Sequence, residues 1–343
     1  MLTQEKMKNI DKSKMYEFYD NWPKLAENAF NNNFNDIFNK IVKQDVSHIV
    51  FAGMGGSGTI GDVFASVLSK TDIHVDIVKG YHLPKTVKQN SLLICTSVSG
   101  NTIETITVLK EGIELGCKIM VFSSDGEMKG ICKNNKINHT QITMDHSPRA
   151  SFVTYLYSMI KVLLPILPIS NQDIINSINE LKKTKEKINS LNLNHDNTSL
   201  NIAKWINSIP IIYYPWGLQS VAIRFKNSLQ ENSKMHVMVE DVIESSHNGI
   251  VSWENNSTLQ PILIEGEDDY IKTKERWVII KEIFQEKNIL FYEIKSNKEN
   301  ILSKLTQLIY ILDYTSIYLA ILKNIDPTPV LAIDLIKKKL KKI

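Results

Sequence analysis

The sequence predicts an α/β protein with two doubly wound domains, each built on a mostly parallel sheet. The chain of 343 residues is longer than one hydrophobic core usually serves. Short apolar segments alternate with helical stretches, as in sheets with helices on both faces. A strand, a glycine turn and a helix also occur in that order twice, which indicates a duplicated domain. We expect a helical segment at 1–44, a first domain at 45–170, a linker helix at 171–197 and a second domain at 198–343.

The first half is expected to begin with helix and then to become α/β. Residues 12–44 have the apolar spacing of a helix, and we interpret them as an element that wraps the domain. The run His48–Ala52 predicts a buried strand, followed by a glycine-rich loop and a helix over 59–68. Further strands are expected at 75–78, 92–96 and 118–122. Ligands of such a sheet bind beyond the carboxyl ends of its strands.

The second half repeats the pattern after a polar segment rich in Lys and Asn. A strand at 209–214 is followed by a glycine turn and a helix over 218–229. Further strands are predicted at 235–239, 260–265 and 289–293, and helices at 301–323 and 330–340. The second copy lacks the glycine-rich loop, so we expect a site formed between two related but unequal domains.

The glycine-rich loop at 53–58 reads GMGGSG and lies between a strand and a helix. Glycines let backbone N–H groups approach an anion, and a helix N-terminus adds about half a positive charge. The loop also fits the dinucleotide fingerprint if Gly53, Gly55 and Gly58 are its glycines, which keeps a dehydrogenase open. That alternative requires an acidic residue at the end of the second strand, and Asp76 lies inside the predicted strand.

A second loop, TSVSGNT at 96–102, also lies between a strand and a helix. Its four hydroxyls and one amide suit a phosphate monoester, whose oxygens accept several hydrogen bonds at once. In the ordinary structural interpretation, these hydroxyls only cap a helix whose early turns favour Glu104 and Glu111. Two such loops after neighbouring strands favour a phosphate site.

Composition excludes several other classes of function. The formal charge of +3 is small and evenly spread, so nucleic acid is not an expected partner. The three cysteines form no CxxC pair, and no histidine cluster stands beside them at metal-ligand spacing, so we expect no metal. The start of the chain does not resemble a secretory signal, and the apolar stretch at 159–169 is interrupted by charge and proline. We therefore expect a cytoplasmic protein without a membrane partner.

The two loops together resemble the sugar isomerase (SIS) domain. The resemblance rests on GGSG at 55–58 and SVSGNTIET at 97–105. Within that superfamily the chain is similar to the bifunctional phosphoglucose/phosphomannose isomerases. Further matching stretches are SPRAS at 147–151, the segment 227–232, ESSHN at 244–248 and DPTP at 326–329.

The resemblance implies two SIS domains in a cofactor-free and metal-free homodimer whose site is completed across subunits. The implied reaction interconverts glucose 6-phosphate and mannose 6-phosphate with fructose 6-phosphate through a cis-enediol(ate). It also implies the site residues. The phosphate would be held by Gly56, Ser57, Ser97, Ser99 and Thr102, the chemistry done by Arg149, Glu231, His247 and Lys337, and the substrate approached by Gly55 and Thr328. The chain departs from the family at Gly249, where an acidic residue is frequent, and that departure bears on the position of His247.

The chemistry of isomerisation explains why these residue types are needed. A proton must move between C2 and C1, and a carboxylate such as Glu231 can take and return it. A guanidinium such as Arg149 stabilises the enediolate more than the neutral substrate. A histidine can protonate the ring oxygen to open the sugar, and His247 is the candidate. The ordinary interpretations are a solvated helix-end Glu231, a packed Arg149, and a loop His247 that caps a strand containing Trp253.

Two further candidates depend on local geometry. Lys337 lies in a lysine run that is ordinarily a solvated helix end. We expect Ile333, Ile336 and Leu340 to form the inward face of that helix, with Lys337 beside them. Thr328, small and between two prolines, would leave room for the intermediate to turn when the C2 configuration is that of mannose.

Other functions remain open from sequence alone. A sugar-phosphate sensor would use the same fold without catalysis, although no basic recognition helix is evident. An isomerase for glucose 6-phosphate alone is a narrower alternative. The isomerase half of an aminosugar synthase would normally be joined to a glutaminase domain with an N-terminal cysteine, which this sequence does not show.

Overall fold

The computed structural model describes residues 2–34 and 46–340 and contains two parallel sheets. The first sheet has the order β2-β1-β3-β4-β5 and the second has the order β7-β6-β8-β9. The strands are β1 (His48–Ala52), β2 (His74–Val78), β3 (Leu92–Thr96), β4 (Lys118–Ser123), β5 (Asn138–Gln141), β6 (Pro210–Tyr214), β7 (Met238–Asp241), β8 (Gln260–Glu265) and β9 (Tyr292–Lys295). The predicted α/β class with two mostly parallel sheets is confirmed.

Helices cover the sheets and fill the space between them. They are α1 (Gln4–Ile10), α2 (Met15–Asp20), α3 (Trp22–Asn31), α4 (Gly55–Leu68), α5 (Ile103–Glu114), α6 (Glu127–Asn135), α7 (Phe152–Leu163), α8 (Asn171–Ile188), α9 (Thr198–Trp205), α10 (Gln219–Ser233), α11 (Val242–Ser245), α12 (Ile271–Glu286), α13 (Ile301–Leu322) and α14 (Leu331–Leu340). Two 3-10 helices lie at Leu164–Ile166 and Gly249–Glu254.

Most predicted elements are confirmed, and the differences have local causes. The helix expected over 12–44 is two helices, α2 and α3, and its part at 35–45 lies outside the described residues. The strand predicted at 235–239 begins at Met238, because the apolar residues before it pack on the core from an extended loop. The edge strand β5, with the sequence NHTQ, gave no apolar signal and was not predicted.

Parallel pairing brings the two polar loops together. In the first sheet β1 pairs with β3, and Ala52 at the end of β1 lies opposite Cys95. The loops that follow these strands therefore leave the same edge of the sheet side by side. Helix α4, which starts in the first of these loops, also packs against α10 of the second half. Helix α10 follows β6 of the second sheet, so the loops of the first half lie next to an element of the second half.

The centre of the molecule is the long apolar helix α13. It contacts α8, α9 and α10, and its residues from Leu302 to Ile321 are nearly all buried. Among the described residues α13 is long and apolar enough to cross a membrane, but 89% of its apolar window is buried inside the protein. One hydrophobic cluster joins the inner faces of both sheets through this helix, with Ile49 and Ile94 on one side and Ile212 and Ile262 on the other.

A charged cluster lies inside this apolar core. Arg224 of α10 and Asp313 of α13 are 2% and 0% exposed, and Arg224 Nη2 lies 2.6 Å from Asp313 Oδ2. Ser228 Oγ and the Tyr19 hydroxyl donate to the same carboxylate at 2.5 and 3.3 Å. We call these four residues the Arg224–Asp313 cluster. Burial alone lowers the pKa of Arg224, but the Asp313 charge outweighs it and raises that pKa.

Loss of the Asp313 carboxylate should be strongly destabilising. Asp313→Ala leaves the buried Arg224 guanidinium without its counter-charge, which costs about 3–5 kcal/mol in the free energy of unfolding. Denaturant unfolding measures this. The control is Asp268→Ala, which removes the exposed partner of Lys304 and should leave the midpoint nearly unchanged. Equal effects of the two substitutions would contradict the account.

Candidate active site

The glycine-rich loop places the N-terminus of α4 at the carboxyl edge of the first sheet. Gly55 adopts a φ of +54° at the start of this helix, and the N-cap residue, Met54, makes no side-chain capping hydrogen bond. A Cβ on Gly53 would lie 2.9 Å from the Thr96 carbonyl oxygen, so only glycine lets this loop approach the end of β3. The uncapped N–H groups of the first turn can therefore donate to an anion.

The hydroxyls of the second loop are grouped around its turn. Ser97 Oγ lies 2.8 Å from Thr102 Oγ1 and accepts a hydrogen bond of 3.2 Å from the Gly100 N–H. Ser97 is buried, whereas Ser99 and Thr102 are partly exposed. Thr102 precedes α5, and no side chain caps that helix either. Gly100 has a φ of +69°, and a Cβ there would collide with the Asp125 carbonyl oxygen.

These two loops form one polar edge that suits a phosphate. It combines two helix N-termini with the hydroxyls of Ser57, Ser97, Ser99 and Thr102, and fixed glycine geometry shapes both loops. The dinucleotide interpretation lacks its acidic residue, because Asp76 lies in the middle of β2 and hydrogen-bonds to His48. The arrangement therefore favours a phosphate monoester over a dinucleotide.

A buried arginine and a glutamate meet beside this edge. Arg149 is 5% exposed, and its Nη1 lies 3.6 Å from Glu231 Oε2. Its other nitrogens donate to fixed acceptors: Nε to Asn232 Oδ1 at 2.7 Å, and Nη2 to the carbonyl oxygens of Pro327 and Thr328, both at 2.7 Å. Arg149 is therefore held in one orientation. The Glu231 side chain is 25% exposed and remains accessible to a ligand.

The Arg224–Asp313 cluster lies directly behind this pair. Arg224 Nη2 donates to the Arg149 carbonyl oxygen at 2.8 Å. A Cβ on Gly56 would lie 3.2 Å from Arg224 Nη1 and 3.7 Å from the Arg149 Cα. The absence of a side chain at Gly56 thus allows the glycine loop, Arg149 and Arg224 to pack together.

Two polar neighbours of the site, Asn232 and Lys234, were not predicted, and neither was the Arg224–Asp313 pair behind it. Asn232 receives the Arg149 Nε–H, and its amide donates to Ser316 Oγ at 2.8 Å. Lys234 ends α10 in a left-handed conformation, with Nζ 3.3 Å from the Pro327 carbonyl oxygen. Burial, with the charge of Arg149, lowers the pKa of Lys234. One feature of the sequence could have indicated a buried charge: Asp313 is the one charged residue between 309 and 322.

Thr328, which the sequence analysis placed near the substrate, lies beside Arg149. Its carbonyl oxygen accepts from Arg149, and its N–H donates to Asp326 Oδ1 at 2.9 Å. Its Oγ1 is buried and has no hydrogen-bond partner within the described part of the chain. A buried hydroxyl without a partner is uncommon in proteins.

His247 is not brought to this site within one chain. It is exposed, in the turn between α11 and the 3-10 helix Gly249–Glu254. Trp253 lies in that 3-10 helix, so the interpretation of His247 as the cap of a strand is wrong. The space that a side chain at Gly249 would need is taken by the Glu240 carboxylate, whose pKa is raised by burial. An acidic group from β7 thus lies directly beside Gly249.

Lys337 is also away from the Arg149–Glu231 pair. All of α14 from Leu331 to Leu340 is exposed. The expected inward face is wrong for a single chain, because Ile333, Ile336 and Leu340 are 38%, 59% and 47% exposed. The helix follows Pro329, and residues 2–34 and 46–330 leave its apolar side uncovered.

Comparisons with known proteins show which family the chain resembles. Residues 195–340 match the family model described as bacterial phospho-glucose isomerase C-terminal SIS domain. The chain is 30% identical over 341 residues to the bifunctional phosphoglucose/phosphomannose isomerase of Caldicellulosiruptor bescii, covering 96% of this chain and 99% of the relative. It is 29% identical to the enzyme of that name from Aquifex aeolicus, covering 86% of this chain and 90% of the relative.

The fold is also found among solved structures. The tagatose-6-phosphate ketose/aldose isomerase from Escherichia coli superposes with a TM-score of 0.67, at 13% identity, over 95% of each chain. Two parallel sheets with polar loops at one carboxyl edge define the chain as an SIS-domain protein. Its similarity along nearly the whole length is more specific. The chain belongs to the bifunctional phosphoglucose/phosphomannose isomerase family.

Proposed function

We propose that this protein interconverts glucose 6-phosphate and mannose 6-phosphate with fructose 6-phosphate through a cis-enediolate. The observation that carries the proposal is the Arg149–Glu231 pair, 3.6 Å apart beside two loops suited to a phosphate. Membership of the family supports the choice of these sugars. A sensor needs the phosphate loops but has no use for a partly accessible carboxylate beside an immobilised guanidinium.

The phosphate of the substrate binds at the edge formed by the two loops. Ser57, Ser97, Ser99 and Thr102 donate hydroxyl hydrogen bonds, and the first turns of α4 and α5 donate backbone N–H groups. Gly55 and Gly56 have no side chains, so the phosphate can approach the backbone of the first loop. Binding at this edge leaves the sugar carbons pointing toward the second half of the chain.

Glu231 is the base that moves the proton between C2 and C1. Its carboxylate takes a proton from one carbon and returns it to the other, so the same group serves both directions. Negative charge develops on the enediolate oxygens in between. Arg149 stabilises that charge, and its three hydrogen bonds to Asn232, Pro327 and Thr328 keep the guanidinium in place before the substrate arrives.

His247 and Lys337 complete the site of a neighbouring subunit in a homodimer. The support is their location: both are exposed, and Lys337 lies on a helix whose apolar residues are 38–77% exposed in the single chain. A second chain that covered α14 would bury those residues, and a symmetric dimer buries the same patch on each subunit. In that dimer His247 protonates the ring oxygen and opens the sugar.

We also propose a cellular location, a division into domains and a role for Thr328. We assign the enzyme to the cytoplasm, and we place two SIS domains at 45–170 and 198–343 on either side of the segment 171–197. Thr328 provides room beside Arg149, so an intermediate with the mannose configuration can turn at C2 without meeting a bulky side chain.

Glu231→Gln should abolish isomerisation, because an amide cannot take up the proton. We expect kcat to fall by roughly 10²–10⁴-fold for both aldoses, with little change in phosphate binding. The measurement is a coupled assay of fructose 6-phosphate formation from each aldose, in the presence of EDTA. Glu286→Gln, at the exposed end of α12, is the matched control and should retain full activity. Undiminished activity in Glu231→Gln would remove the base from this account.

Thr328→Leu should impair the mannose reaction more than the glucose reaction. The added methyl groups fill the space beside Arg149, and a fit of this kind is worth about tenfold or more in kcat/KM. The ratio of kcat/KM for the two aldoses is the quantity to measure. Thr328→Ser keeps the small size and should preserve the ratio. If Thr328→Leu lowered both values equally, the residue would not determine specificity.

Mixing two inactive variants tests the shared site. A hybrid of Glu231→Gln and His247→Ala chains has one site with both substitutions and one site with neither. After unfolding and refolding together, equal amounts should regain about a quarter of the natural activity, since half of the dimers are hybrids and each has one intact site. Each variant refolded alone is the control. No regain, with hybrid dimers detected, would mean that His247 serves its own chain.

A further inference from the structure

Two histidines and an aspartate lie together at the amino end of the first sheet. His48 and His74 are the first residues of β1 and β2, and they are opposite each other in the parallel pairing. Asp76 follows His74 on the same face of β2. One ligand atom from each of the three lies within 4.8 Å of the others. We call this group the His48–His74–Asp76 cluster.

We propose that the His48–His74–Asp76 cluster binds a zinc ion. Zinc prefers four tetrahedral ligands at about 2.0–2.1 Å, which puts neighbouring ligand atoms about 3.4 Å apart. His48 Nε2 lies 3.0 Å and His74 Nε2 lies 3.6 Å from the same oxygen, Asp76 Oδ2. These separations lie on either side of the tetrahedral value, so small side-chain rotations suffice. Three protein ligands leave a fourth position for water.

The neighbours of the cluster support the orientation that a metal requires. Ser91 is 1% exposed, and its Oγ lies 3.0 Å from His48 Nδ1. That oxygen also accepts the Lys88 N–H at 3.0 Å and retains a lone pair for a His48 Nδ1–H. With the proton on Nδ1, the His48 Nε2 is free to bind a metal. Thr86 Oγ1 donates to the same oxygen, Asp76 Oδ2, at 3.3 Å and helps to orient the carboxylate.

The position of the cluster separates it from the phosphate loops. Those loops follow the carboxyl ends of β1 and β3, whereas the cluster is at the amino ends. The five residues of β1 alone span about 13 Å between the first and last Cα atoms. Zinc at the cluster therefore has no direct role in isomerisation. It joins β2, the edge strand of the sheet, to the neighbouring interior strand β1 and stabilises that edge.

Zinc binding to the chelator-treated full chain tests the proposal. Isothermal titration with Zn²⁺ should give one site per chain, and Zn²⁺ should raise the melting temperature. His74→Ala should weaken binding by at least about tenfold and remove the rise in melting temperature. The His74 side chain is 65% exposed, so the variant should keep the melting temperature of the metal-free natural chain.

Two controls distinguish the cluster from other zinc ligands. His195→Ala removes an exposed histidine whose Nε2 lies 3.2 Å from Asp196 Oδ1. Within the described residues no second histidine joins that pair, so this variant should bind zinc as the natural chain does. Cys117→Ser removes a partly exposed thiol and should also bind normally. No zinc binding by the natural chain, or undiminished binding by His74→Ala, would overturn the proposal.

Discussion

The buried pair of Arg224 and Asp313 is the constraint on which the site depends. It joins α10 to the central helix α13 inside an apolar core, and removing either charge would leave the other uncompensated. Arg224 also holds the Arg149 carbonyl oxygen and packs against Gly56. Glu231 on α10, Arg149 before α7 and the glycine-rich loop therefore share one anchor, although they come from distant parts of the chain.

This anchor explains how Arg149 can be held ready to stabilise a transient charge. Arg149 uses Nε and Nη2 on fixed acceptors and directs Nη1 toward Glu231. The orientation is set during folding, so little reorganisation is needed when the enediolate forms. The free energy for holding the guanidinium in place comes from the surrounding core.

Local patterns predicted the strands and loops, but not the contacts between distant residues. His48–Ala52 and Leu92–Thr96 are apolar runs followed by glycine or hydroxyl residues, so both the fold and the phosphate edge could be read from them. Arg224 and Asp313 meet only in the folded chain, and no short motif links them. The polar strand β5 lacked an apolar signal. The expected inward face of α14 was wrong because no element in the described part of the chain covers that helix.

The most direct test of the account is the fate of the substrate hydrogen. Fructose 6-phosphate is converted in D₂O by the natural chain, and the glucose 6-phosphate formed is examined by NMR for deuterium at C2. The Glu231 side chain is 25% exposed, so a proton held there can exchange with solvent before it is returned to carbon. Proton transfer through an enediolate predicts deuterium at C2 early in the reaction. Complete conversion without any deuterium would contradict the account and indicate a hydride shift.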